Sequence, residues 1–159
     1  MTPIVLCRID DRLIHGQVVL GWGRPLGIER IVLVNDDVAA STWEQDLYRM
    51  AVPPEIELEF ASTAEAAAEL GNWRSSRPRM LLLSGDIATM QALQAADGAA
   101  LREINVGGIH HRPGRRQRLP YVYLSDEERA GLVALEAGGA RVSAQDVPTA
   151  AAVPLRDMP

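Results

Sequence analysis

The feature that most constrains this chain is a regular alternation of short apolar, β-branched runs with amphipathic stretches. Ile28 to Asn35 (IERIVLVN) is nearly continuous in its core, as expected of a strand buried on both faces. Pro3 to Ile9, Glu55 to Phe60, Arg79 to Leu83, Glu103 to Val106, Tyr121 to Leu124 and Arg141 to Val147 read as further strands. Between them lie helical stretches. His15 to Trp22 reads as a helix opening, and Val38 to Met50 as a helix ended near Pro53-Pro54. Thr63 to Leu70 reads as a helix with Gly71 as its stop, and Asp86 to Ala96 as one with an acidic first turn. Ser125-Asp126-Glu127-Glu128 resembles a capping box opening a helix that ends near Gly138-Gly139. Strand-helix alternation of this kind predicts an α/β fold, a three-layer α/β/α arrangement with a mostly parallel central sheet.

At 159 residues the chain fits a single domain spanning 1–159. The Ala- and Pro-rich tail from about residue 148 is expected to lie on the surface or fray. No apolar run approaches the length needed to cross a bilayer, and the start shows no signal-peptide pattern, so the expected location is cytoplasmic. The net charge of −5 argues against a general nucleic-acid binder. All 16 basic residues are arginine, which excludes any mechanism that needs a lysine. Cys7, the only cysteine, reads as a small buried strand residue.

Chemistry concentrates in Arg8-Ile9-Asp10-Asp11-Arg12-Leu13-Ile14-His15-Gly16, where the first strand should end. Placing so many charges at the edge of a core is costly unless they serve one another. They suit a phosphorylated histidine. Neutral imidazole is available as a nucleophile near neutral pH, because histidine's ordinary pKa is about 6.5. A guanidinium can hold phosphate oxygens, a role for Arg12 with help from Arg8. A carboxylate such as Asp10 can bond one ring nitrogen and fix which nitrogen attacks. A helix opening at Gly16 would aim backbone N–H groups at the anion. The same residue types also allow a plainer arrangement, with solvated or structural ion pairs and His15 an incidental capping residue. In a parallel α/β sheet, ligands collect at the carboxyl ends of the strands. The Asp10–His15 loop, Ser84-Gly85-Asp86 and Gly107-Gly108 should therefore meet, which adds Ser84, Gly107 and Gly108 as candidate phosphate or partner contacts.

Other patterns carry less. Gly21-Trp22-Gly23 with Gly27 follows a helix opening rather than a strand and fails the dinucleotide fingerprint. Its plain reading is a helix end and turn, with Trp22, Trp43 and Trp73 as packing residues. His110 and His111 are adjacent and point different ways, so a metal site with His15 is not expected. The Arg112–Arg118 loop reads as a surface that docks an acidic or phosphorylated partner. A receiver-type Mg²⁺ pocket at Asp10-Asp11 would need an acid after the third strand and a late lysine, and the chain has neither.

RIDDRLIHGQV resembles the motif of the enzyme IIB component of the mannose/fructose/sorbose family of the sugar phosphotransferase system. IVLVNDDVA, LYRMAVP, INVGGIHHRPGRRQ, YLSDEE and DVPT resemble that family's later landmarks, in order, over nearly the whole chain. The chain departs from the family pattern after Gly107-Gly108, where arginines stand in place of lysines. The resemblance implies a three-layer α/β/α domain in which His15 accepts a phosphoryl group from a IIA partner, with Asp10 and Arg12 as neighbours. It implies delivery to a sugar entering through membrane IIC and IID components, at the inner face of the membrane, and is compatible with a homodimer. No metal or other cofactor is expected, because arginines supply the positive charge. A regulatory or sensor role for the same phosphorylated fold, without transport, is the alternative.

Overall fold

Along β4 (Met80–Ser84) every residue is buried, and its side chains alternate between two cores. Met80 and Leu82 enter one, Leu81 and Leu83 the other. β2 (Arg30–Val34) does the same, with Val32 and Val34 on one side and Ile31 and Leu33 on the other. This is the two-residue period of a strand covered on both faces, and each buried Leu or Ile contributes about 1.5–3 kcal/mol. The structure, a computed structural model, describes residues 3–159.

Seven strands form the central sheet: β1 (Ile4–Ile9), β2, β3 (Glu57–Ala61), β4, β5 (Glu103–Val106), β8 (Arg141–Ala144) and β9 (Val153–Pro154). Their order is β3-β2-β4-β1-β5-β8-β9, and only the short β9 runs antiparallel. The helices α3 (Thr63–Ser75), α4 (Ile87–Ala96) and α5 (Asp126–Ala137) bury Leu70, Trp73, Met90, Leu93, Leu132 and Leu135 against one face. A seven-residue π-helix (Gln17–Gly23), α1 (Asp36–Ala39) and α2 (Thr42–Met50) cover the other. The three-layer α/β/α reading holds.

The chain leaves β1 towards β2 across the π-helix face and leaves β5 towards β8 across the α5 face. The two connections diverge, and a crevice opens between the carboxyl ends of β1 and β5, where α/β sheets bind ligands.

Several boundaries differ from expectation. The helix expected over Val38–Met50 is two helices, each with its own cap: the Asn35 side chain accepts from Val38 N–H and Ser41 from Glu44 N–H. α3 runs through Gly71 to Ser75, so that glycine does not stop it. Half of the expected Arg112–Arg118 loop is β6 (Arg116–Leu119), which pairs antiparallel with β7 (Val122–Leu124). The tail lies on the surface only in part. β9 joins the sheet, and Leu155 and Met158 are buried, each 2% exposed. Trp22 and Trp73 pack as expected, but Trp43 is 70% exposed on α2. Cys7 is buried, and burial pushes its thiol up to about 12.

Candidate functional site

The crevice is closed at its base by backbone. Asp10 N–H donates to the Ser84 carbonyl at 2.9 Å, Asp11 N–H to the Gly108 carbonyl at 2.9 Å, and Gly107 N–H to the Ile9 carbonyl at 2.7 Å. The three loops named from the sequence therefore meet. Gly107 and Gly108 are required by close approach. A Cβ on Gly107 would lie 2.6 Å from Asp10 Oδ2, and one on Gly108 3.1 Å from the Arg12 guanidinium.

The charges form a layered chain. Arg8 extends the inward-facing set of β1, where solvent does not reach it. Its Nη1 donates to Asn105 Oδ1 and, at 3.0 Å, to the Gln145 carbonyl. Its Nη2 donates to Asp10 Oδ2 at 3.2 Å and to the Asp146 carbonyl at 3.1 Å. Its Cζ lies 4.8 Å from the centroid of the Trp22 ring, a cation–π contact. Asp10 is buried above it. Its carboxylate also accepts from Arg12 Nε at 3.0 Å, Arg12 Nη2 at 2.8 Å, Arg12 N–H at 3.1 Å and Gly108 N–H at 3.3 Å. Burial pushes the Asp10 carboxyl up, but the Arg12 hydrogen bonds and the Arg8 and Arg12 charges outweigh it and hold the carboxyl below its usual range. Burial lowers Arg8 against the opposing pull of Asp10, and the hydrogen bond to Asp10 raises Arg12.

Arg12 forms the outer layer. Its side chain is 31% exposed; Nη1 reaches Gln17 Oε1 at 2.8 Å, and Nη2 lies 3.9 Å from the Asp146 carboxylate. His15 sits beside it. Leu13, the one non-glycine residue with positive φ (60°) among those described, turns its carbonyl towards the His15 Nδ1 at 2.8 Å. A carbonyl only accepts, so Nδ1 carries the ring proton. Nε2 is covered, with no hydrogen-bond partner among the described residues, and lies 3.9 Å from Asp10 Oδ2.

This geometry corrects several expectations. Asp10 does not bond the His15 ring; the Leu13 carbonyl fixes the tautomer, while Asp10 positions Arg12. Arg8 is too deeply buried to meet an anion. Ser84 is fully buried, and its hydroxyl donates to the Asp86 carbonyl at 3.0 Å. The N–H groups of Gly107 and Gly108 are spent on Ile9 and Asp10. These four residues hold the site together from behind. Gly16 is exposed, and Val19 N–H to the His15 carbonyl is the first helical bond, so the Gly16, Gln17 and Val18 N–H groups precede the ladder. Within the Arg112–Arg118 segment, Arg112 and Arg116 are exposed, but Arg115 and Arg118 are held inside the fold. Arg115 forms a bidentate pair with Glu128 at 2.8 and 2.7 Å, and Arg118 is buried, donating to Leu124, Pro159 and Asp126.

Asn105, Gln17, Trp22 and Asp146 take part in the site without having been singled out for it. A signal existed for two of them. Asn105 interrupts an apolar strand, and Asp146 lies in the DVPT landmark.

The chain matches the family described as the PTS system sorbose subfamily IIB component over residues 4–158. It is 32% identical to the N-acetylgalactosamine-specific phosphotransferase enzyme IIB component 2 of Escherichia coli K12, covering 98% of both chains. It is 34% identical over 128 residues to the sorbose-specific EIIB component of Klebsiella pneumoniae, covering 79% of this chain and 76% of that one. It spans about half, 48%, of the mannose-specific EIIAB component of E. coli K12, at 30% identity. The crystal structure of the IIBSor domain of the sorbose permease from K. pneumoniae superposes with a TM-score of 0.89 at 29% identity, covering 99% of this chain and 95% of that one. Sequence match and fold agree over the same span, and the chain belongs to the sorbose-subfamily IIB components of the phosphotransferase system.

Proposed function

We propose that this chain is a phosphoryl carrier that takes a phosphoryl group onto His15 from a phosphorylated IIA protein or domain. It then passes the group to an incoming sugar of the mannose, fructose or sorbose type, held by membrane IIC and IID components. The observation that carries this reading is the layered chain Arg8–Asp10–Arg12 ending in a partly exposed guanidinium beside His15. The mannose- and sorbose-specific names of two relatives support that class of sugar, a third is named for N-acetylgalactosamine, and no described helix is long and apolar enough to cross a membrane. The reading places the chain in the cytoplasm, at the membrane face through its partners, as a single IIB domain able to form a homodimer.

The chemistry follows from the geometry. The His15 ring attacks phosphorus in line, and charge builds on the three equatorial oxygens. Arg12 meets that charge with donors already oriented by Asp10, so little reorganisation is needed when the charge develops. Arg12 Nη1, held only by the exposed Gln17 side chain, is the donor most easily released to an oxygen. Asp10 stays with its five donors and is not a base. In the resting geometry Nδ1 is engaged by Leu13 and Nε2 is covered. Loading therefore requires the ring to turn out of the loop, at the cost of about one hydrogen bond, roughly 1 kcal/mol.

The test is transfer from a purified phosphorylated IIA partner with its upstream enzymes, read by intact mass at neutral or alkaline pH. One acid-labile phosphate, absent in His15→Ala, is expected. No label on a folded protein with an active donor would overturn the carrier reading, and a label that no sugar discharges would favour the regulatory role.

A further inference from the structure

Resting on the carrier reading, the geometry points to His110, held by Asp11, as the general base that takes the proton from the sugar hydroxyl during discharge of phosphorylated His15. His110 Nδ1 lies 2.6 Å from Asp11 Oδ1, and the His110 backbone N–H donates to Asp11 Oδ2 at 2.8 Å. Arg115 Nη1 donates to the His110 carbonyl at 2.9 Å, which pins the other side of the residue. The carboxylate holds the proton on Nδ1, so the Nε2 lone pair is free on a side chain that is 68% exposed. A carboxylate-oriented imidazole with an open nitrogen is the arrangement a general base needs.

Its place fits the reaction. His110 and Arg12 line one cavity of about 200 Å³, with Tyr121, Tyr123 and Asp146 on the other walls. Aromatic rings, a guanidinium and a carboxylate suit the hydroxyl-bearing edge of a monosaccharide. Asp11 follows directly on Asp10, so the carboxylate that holds His110 sits on the loop that bears His15, while His110 itself comes from the loop after β5.

During discharge the sugar hydroxyl oxygen forms the new O–P bond as the N–P bond to His15 breaks. The N–P electron pair returns to the His15 ring, which leaves as neutral imidazole because its other nitrogen is protonated. The hydroxyl proton goes to His110 Nε2. His15 cannot accept it while its own lone pair is bound to phosphorus. Asp10 is saturated by donors, and Asp146 faces Arg12.

The experiment separates the two half-reactions. Loading is followed by intact mass from the phosphorylated IIA donor. Discharge is followed by adding membrane vesicles that carry the IIC and IID components, with mannose, fructose, sorbose or N-acetylgalactosamine in turn. His110→Ala is expected to load like the wild type and to discharge about 100-fold more slowly. Asp11→Asn is expected to slow discharge less, with loading unchanged. Equal slowing of loading and discharge in His110→Ala would mark a collapsed loop and overturn the inference. So would discharge of His110→Ala at the wild-type rate. A wild type that never loads would sink the carrier reading itself, a different result from any of these.

Discussion

Two arginine–carboxylate clusters in this molecule have similar density in sequence and opposite fates in space. In the first, Arg8 and Asp10 are buried and Arg12 ends at the surface beside His15. In the second, Arg115 and Arg118 turn inward. Arg115 grips Glu128 on α5, and Arg118 donates to the Leu124 and Pro159 carbonyls, so that it ties β7 and the C-terminal turn together. The number of charges does not distinguish them. What does is a donor edge left open next to a nucleophile, above a carboxylate whose acceptor capacity is already filled. The second cluster is a structural clasp, and its donors are spent.

The sharpest way to break that contrast is to remove the nucleophile. His15→Ala is expected to abolish the phosphate label seen by intact mass, while Arg118→Ala keeps it; a stoichiometric label on His15→Ala would erase the distinction. Next comes Asp10→Asn, which leaves Arg8 buried without its counter-charge. A loss of about 3–5 kcal/mol is expected in chemical denaturation at neutral pH. The sign with pH follows from the lowered carboxyl. The Asp10 contribution is complete above the unfolded carboxyl pKa, about 3.9, and is lost as pH falls through the lower folded value. The stability gap between wild type and Asp10→Asn should therefore narrow on acidification below about pH 4, and a gap that widens there would reverse the assignment.

Arg12→Ala should slow loading by about 100-fold, roughly 2.7 kcal/mol, in a rapid-quench measurement, and should also lower the thermal midpoint, because the buried Asp10 carboxylate loses two of its donors. A large drop in midpoint with normal loading would place Arg12 with the clasp instead. Arg118→Ala should lose stability alone: about 1–3 kcal/mol less stable, because two carbonyls lose their buried donor, and loading unchanged. Arg115→Ala is the smallest effect, on the order of 1 kcal/mol, since its pair with Glu128 is part-exposed and screened.

Much of the fold was legible because burial imposes simple periods. The β2 and β4 runs announce a doubly covered sheet, and the loop after β1 had to sit at its carboxyl pole. The break between α1 and α2 was missed although Ser41-Thr42-Trp43-Glu44 carries a capping pattern; the helical period across it masked the signal. The tail misled because its composition is loop-like, while two apolar residues three apart, Leu155 and Met158, suffice to anchor it. At the site, Arg8 and Arg12 look equivalent as residue types. Only the strand period separates them: Arg8 follows Leu6 onto an inward face, whereas Arg12 lies beyond the strand. The Asp11–His110 pair was out of reach, because its two residues come from loops 99 positions apart.

That long reach has a consequence for the chain as it folds. Arg8 and Asp10, near the beginning, complete their hydrogen bonds with Asn105 and Gly108, 97 and 98 residues later, and with the backbone of Asp146, 138 residues later. Until the parallel pairing of β1 with β5 closes that long loop, the charged groups of the segment bearing His15 lack their distant hydrogen-bond partners and stay in water. The ordered loop thus reports on completed synthesis and closure, and a partly made chain would offer phosphoryl donors no organised target.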